Sequence, residues 1–181
     1  TDRGIFIPNT SFNTPVLFLI FNRPNTTQQV FSAIKKAKPP RLYIAADGPR
    51  SDYPNDAESC EIARSIAMNV DWDCEVKTLF KDQNLGCRKS VSEAINWFFE
   101  NEPEGIILED DCLPSQSFFW FCQELLKYFQ DDTRIMHIGG TNFQFGNYPT
   151  NDSYYFSRYA HVWGWASWRR AWKFYDEKME Q

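Results

Sequence analysis

Apolar and polar positions alternate in blocks along the chain. Residues 16–21 are a continuous apolar run, too short for a helix, that reads as a buried strand ending at Asn22-Arg23-Pro24. Thr26 or Thr27 is placed to cap a helix carrying Val30, Ile34 and Ala37 on one face, and Pro39-Pro40 stops it. Residues 42–46 predict a second strand closed by Asp47-Gly48-Pro49, a turn composition in which glycine relieves backbone strain. After the polar stretch 50–57, Ile62 and Ile66 give helical spacing to 57–67, and 76–80 reads as a third strand. Residues 82–86 form a turn, and 88–99 place Val91, Ala94, Ile95 and Phe98 on one helical face. A fourth strand is expected at Ile106-Ile107-Leu108, then an aromatic helix over 117–129 and a further strand at 135–138 stopped by Gly139-Gly140. The Asn-, Gly- and Pro-rich stretch 141–152 predicts a loop over a cleft; 154–159 has strand-like content, and Ala166 onward suits a closing helix. No repeat interrupts this order. Strands alternating with helices predict an α/β fold.

The 181 residues suffice for one domain with a sizeable core. Aromatic residues make up 17% of the chain and concentrate after residue 97, which suggests thick packing between layers or an acceptor groove floored by rings. A formal charge of −5 with no basic stripe argues against a nucleic-acid partner. Lys35, Lys36, Lys38, Arg169 and Arg170 read as solvated helix faces. Cysteines 60, 74, 87, 112 and 122 form no CxxC pair and are odd in number, which fits free thiols in a reducing compartment. His137 and His161 are the only histidines, too few for a His-based zinc site. There is no apolar run of the roughly 20 residues needed to cross a bilayer and no signal peptide, so the expected place is the cytoplasm or the membrane periphery. The last helix runs to Gln181 without a stop signal, as in a fragment of a longer chain.

Glu109, Asp110 and Asp111 follow the apolar stretch directly, at the expected exit of a buried strand. Open parallel sheets bind ligands beyond the carboxyl ends of their strands. Three adjacent anions need solvent, donors or a cation to compensate them, and Mg²⁺ or Mn²⁺ takes hard oxygen ligands while leaving positions for substrate phosphates. The same acids also suit a solvated loop capping the next helix.

Five segments then fall in one order: 18–24 (Phe-Leu-Ile-Phe-Asn-Arg-Pro), Ala46-Asp47-Gly48, Asn84-Leu85-Gly86, Glu109-Asp110-Asp111 and Val162-Trp163-Gly164-Trp165. Together they resemble the GT-A nucleotide-sugar glycosyltransferases, most closely the N-acetylglucosaminyltransferase I-like branch and related bacterial sugar transferases. The resemblance implies a Rossmann-like, mostly parallel sheet flanked by helices, truncated at the C-terminus. It implies one domain over 1–181, with a nucleotide-binding part at about 14–113 and an acceptor-side part at about 114–181.

Carried over by position, Arg23 would contact the nucleotide or its phosphates and Asp47 would accept from the uracil N–H. Asn84, Gly86, Arg88 and Lys89 would lie near the ribose, sugar or phosphate. Asp111 would be the direct Mn²⁺ or Mg²⁺ ligand, Asp110 would bind ribose or sugar hydroxyls, and Glu109 would orient the network. Trp163, Gly164 and Trp165 would shape the sugar or acceptor pocket, His161 would support it, and Trp168 and Trp172 would pack the closing helix. The implied activity is inverting transfer from a UDP-sugar to a glycan, lipid-linked or other hydroxyl acceptor. Relatives place their base beyond Asp176, so Asp176 and Glu177 are only the nearest available carboxylates. Two alternatives remain open: a binding module without turnover, and a nucleotidyltransferase, whose glycine- and basic-rich loop is not evident after 16–21.

Overall fold

A computed structural model describes residues 6–144 and 152–178. The elements run β1 (Val16–Ile20), α1 (Pro24–Ala37), β2 (Arg41–Ala46), α2 (Asp56–Ala67), β3 (Glu75–Phe80), α3 (Cys87–Asn101), β4 (Glu104–Glu109), α4 (Gln116–Tyr128), β5 (Ile138–Gly139), β6 (Trp165–Trp168) and α5 (Arg169–Trp172). They form one six-stranded sheet in the order β3-β2-β1-β4-β6-β5. β3, β2, β1 and β4 are parallel, whereas β6 runs antiparallel to both β4 and β5. The expected α/β fold with a mostly parallel, helix-flanked sheet is what forms.

The apolar runs of β1 and β4 are continuous because both faces of the sheet are covered. Phe18, Ile20, Ile44 and Leu108 pack with residues of α1 and α4 on one face, while Leu17, Leu19, Tyr43 and Ile107 meet Ala94, Ile95 and Phe98 of α3 on the other. From β1 the chain moves outward through β2 to β3, then returns to place β4 on the opposite side of β1. That reversal opens a crevice at the carboxyl ends of β1 and β4, the usual ligand position in such sheets.

Five expectations are corrected. The segment from Ala166 is not helical at its start: Trp165–Trp168 is strand β6, paired residue for residue with Ile107 to Glu104, and only Arg169–Trp172 is helical. All four β6 residues are buried, with Trp165 packing on the α3 face and Trp168 on the α4 face. Alternation of period two was hidden because small Ala166 and Ser167 stand between the tryptophans. The strand expected at 135–138 shrinks to Ile138–Gly139, and 154–159 forms no strand. α1 starts with Pro24 at its first turn, and Thr27 donates its hydroxyl back to the Arg23 carbonyl at 2.8 Å instead of capping.

The fifth correction concerns Arg169 and Arg170, which act as clamps as well as meeting solvent, Arg169 being exposed and Arg170 half-buried. Arg169 donates to the carbonyls of Phe99 and Glu100 near the end of α3. Arg170 donates to Gln130 at 2.8 Å, Phe129 at 2.9 Å and Ile135 at 3.0 Å, past the end of α4, and its guanidinium lies 4.2 Å from the centre of the Trp168 ring. Consecutive side chains leaving β6 thus tie down the ends of helices on opposite faces. Most of the loop expected at 141–152 lies outside the described residues. Among the described residues, no helix is long and apolar enough to cross a membrane.

Candidate functional site

A cavity of about 330 Å³ opens at the carboxyl ends of β1, β2 and β4. Its wall includes Arg23, Asp47, Asn84, Gly86, Glu109 and Asp110, six residues singled out in the sequence from four separate segments. The sheet topology brings them together.

On the β4 side, Glu109 ends the strand and Asp110 turns inward. Asp110 is 5% exposed and accepts from the Phe21 N–H at 3.0 Å and from Arg23 Nη1 at 3.1 Å. The same nitrogen reaches Asp111 at 2.6 Å, so one guanidinium bridges a buried and a half-exposed carboxylate. Burial raises the pKa of Glu109, and the charges of Asp111 and Asp110 add to that rise. Burial also raises Asp110, against the pull of the Phe21 N–H and Arg23. Arg23 is raised in turn, chiefly by Asp110. One cation facing three carboxylates leaves this corner with an excess of negative charge.

That excess frames the fit of a divalent ion. Among the described residues, no group of three or more His, Cys, Asp or Glu side chains is arranged to hold a metal by itself. The acid turn offers instead a half-exposed Asp111 beside Glu109, hard oxygens of the kind Mg²⁺ and Mn²⁺ accept one or two at a time while phosphates and waters fill the other positions. These oxygens would suit an ion shared with a phosphate ligand only if Arg23 released Asp111.

On the β2 side, Asp47 is 8% exposed and organises the opposite wall. Its Oδ1 accepts from the N–H groups of Gly48 and Leu85, both at 2.9 Å; its Oδ2 accepts from the Gly86 N–H at 3.0 Å and from Asn84 Nδ2 at 3.1 Å. A carboxylate offers about four lone-pair sites, and here all are engaged. A nucleobase N–H would have to displace one of these donors. Gly48 is required because an added Cβ would fall 2.4 Å from the backbone carbon of Gln83, where the two loops meet. Gly86, at φ 82°, turns the chain into α3 with open space before it, and no side chain caps the helix. Cys87 and Ser90 of its first turn line the cavity, which directs the positive end of a 15-residue helix at the opening.

The remaining sequence candidates lie apart from this wall. Arg88 is largely exposed and pairs with Glu177 at 3.3 Å, bringing the end of the described chain back to the start of α3. Asp176 accepts the Lys178 N–H at 2.9 Å. Trp165 is 7% exposed and stacks on His137 at 5.0 Å, so it packs the core, while Trp163 is exposed in a ring cluster with His161 and Phe143. Gly164, at φ 70°, accepts from the Gly140 N–H at 2.9 Å and sets that turn. Trp172 packs the closing helix as expected, against Phe99 and Trp165, whereas Trp168 belongs to strand β6 and packs the α4 face of the sheet.

Sequence reasoning missed Arg50. It lines the cavity and holds Asp56 through Nε at 2.6 Å and Nη2 at 3.0 Å, while Asn22 Nδ2 reaches the same carboxylate at 2.7 Å. The Arg50 contact, with Asn22 adding to it, holds the Asp56 carboxyl well below the usual range. A polar segment without periodicity carried no signal for this pairing. No protein-family model matches the chain, and no curated protein matches it.

Proposed function

We propose that the chain carries the donor site of a metal-dependent, GT-A-type glycosyltransferase that moves a sugar from a UDP-sugar to a hydroxyl acceptor with inversion. The observation that carries this reading is the meeting of the acid turn, Arg23 and the open start of α3 around one cavity at the reversal of strand order. Each of the three suits a different part of a nucleoside diphosphate.

The first-turn N–H groups of α3 and the outer N–H groups of Arg23 would take the diphosphate oxygens. Asp111, with Glu109 beside it, would hold Mn²⁺ or Mg²⁺. When bound, the ion supplies positive charge to the departing diphosphate. Asp110, fixed by the Phe21 N–H, aims Arg23 and offers its remaining oxygen capacity to ribose or sugar hydroxyls. The exposed Trp163, beside His161 and Phe143, gives an acceptor sugar a flat apolar face. Asp176 and Glu177 would be only the nearest available carboxylates for taking the acceptor proton, a base placed farther along the chain being the one that the resemblance implies, and Glu177 reaches the start of α3 through Arg88.

The Arg23 bridge favours one second reading, nucleotide-sugar binding without turnover, because Arg23 already neutralises Asp111. Incubation with UDP-hexoses or UDP-N-acetylhexosamines, Mn²⁺ and simple glycoside acceptors separates the two. The transferase reading expects free UDP and a glycoside of inverted anomeric configuration. Saturable binding with no product supports the second, and pyrophosphate formed from a nucleoside triphosphate and a sugar phosphate contradicts both.

A further inference from the structure

The acid turn and α3 account for phosphate and sugar, and leave open what reads the base. Asp47, the acidic group nearest the β2 side, has its lone pairs committed to Gly48, Leu85, Gly86 and Asn84. Arg50 is built differently. Its fork is fixed by two bonds to Asp56, a carboxylate 5% exposed and further held by Asn22. Its guanidinium carbon lies 3.7 Å from the centre of the Tyr53 ring and 5.4 Å from that of Phe21. An arginine so held loses little further freedom on binding, because its orientation is set before the ligand arrives.

With Nε and Nη2 spent on Asp56, Nη1 stands on the edge turned away from that carboxylate, and it has no hydrogen-bond partner among the described residues. Arg50 lines the cavity from the loop after β2, and the acid turn lies after β4, on the other side of β1. A ligand whose diphosphate sits by the acids therefore extends its base toward Arg50. Guanidinium nitrogens only donate, so the partner must be an acceptor. Asn84 complements it: Nδ2 donates to Asp47 and to the Gly48 carbonyl at 2.8 Å, which leaves its Oδ1 an acceptor in the same wall.

We propose that Arg50 is the base-selecting residue of the cavity, donating from Nη1 to the O4 carbonyl of uracil and so disfavouring cytosine, which carries an amino group there. The inference rests on the nucleotide-sugar reading of the cavity. A charge-assisted hydrogen bond lost, with both donors left facing one another, corresponds to a preference of about tenfold or more.

The test titrates UDP, CDP and the pyrimidin-2-one nucleoside diphosphate, which lacks O4, into the unaltered protein with Mn²⁺. UDP is expected to bind about tenfold or more tightly than either competitor. In the double variant Arg50→Gln with Asp56→Asn, which leaves no buried carboxylate unpaired, the three ligands converge to within about threefold with circular dichroism unchanged. Equal affinities in the unaltered protein overturn the inference and leave the nucleotide site standing. A double variant that weakens all three ligands equally, preserving their ratio, assigns Arg50 to phosphate and overturns it as well. If no nucleotide binds at all, the underlying reading of the cavity fails and this inference with it.

Discussion

Replacing Asp47 with alanine lowers the unfolding midpoint by about 10 °C and abolishes nucleotide binding. The side chain is buried and accepts from three backbone N–H groups and one amide. Its removal leaves the Gly48, Leu85 and Gly86 donors without their acceptor in the partly buried wall of the cavity. Each stranded donor costs about 1–3 kcal/mol, partly recovered by relaxation, so a total of about 3–5 kcal/mol is expected. For a chain of this size about 2–4 °C accompany each kcal/mol. Asp47→Asn recovers little, because the amide sets an N–H₂ against backbone N–H groups. Thermal unfolding followed by circular dichroism checks both variants. The loss of binding follows from geometry: the turn that Asp47 holds is the turn that starts α3 at the cavity.

Arg170→Ala is the second large effect, and it falls far from the cavity. The guanidinium supplies hydrogen bonds to three carbonyls past α4 and covers the Trp168 ring. Net contributions of about 0.5–1.5 kcal/mol per bond, with the ring contact added, give a loss of about 2–3 kcal/mol. Arg170→Lys restores little of it, since one ammonium cannot replace a planar fork across Phe129, Gln130 and Ile135. Denaturant unfolding of the two variants is expected to show nearly equal losses, with nucleotide affinity below the transition unchanged. A lysine variant as stable as the parent contradicts the clamp.

Legibility in the sequence followed how local each signal was. β1, β2, β4 and α3 were readable because covered parallel strands are apolar throughout and α3 repeats Val91, Ala94, Ile95 and Phe98 on one face. β6 was not, because its burial on both faces is created by antiparallel pairing to β4, a partner some 60 residues distant. The clamping roles of Arg169 and Arg170 were missed for the same reason, since their acceptors lie near the end of α3 and past the end of α4, far along the chain. Six cavity residues were found from short motifs, yet their bonding was not. Nothing in Glu109-Asp110-Asp111 reveals that Asp110 turns inward to the Phe21 N–H, nor that Arg23 bridges it to Asp111. Arg50 and Asp56 escaped because an ion pair between an irregular loop and the first residue of α2 has no period to betray it.

The central claim is that the acid turn takes up a divalent ion together with a diphosphate. Calorimetric titration of UDP with and without Mn²⁺, in the unaltered protein and in Asp111→Asn, tests it most directly. The account predicts that Mn²⁺ tightens UDP binding by about tenfold or more in the unaltered protein and by less than about threefold in the variant. UDP binding that is independent of Mn²⁺ and identical in the two proteins would contradict it.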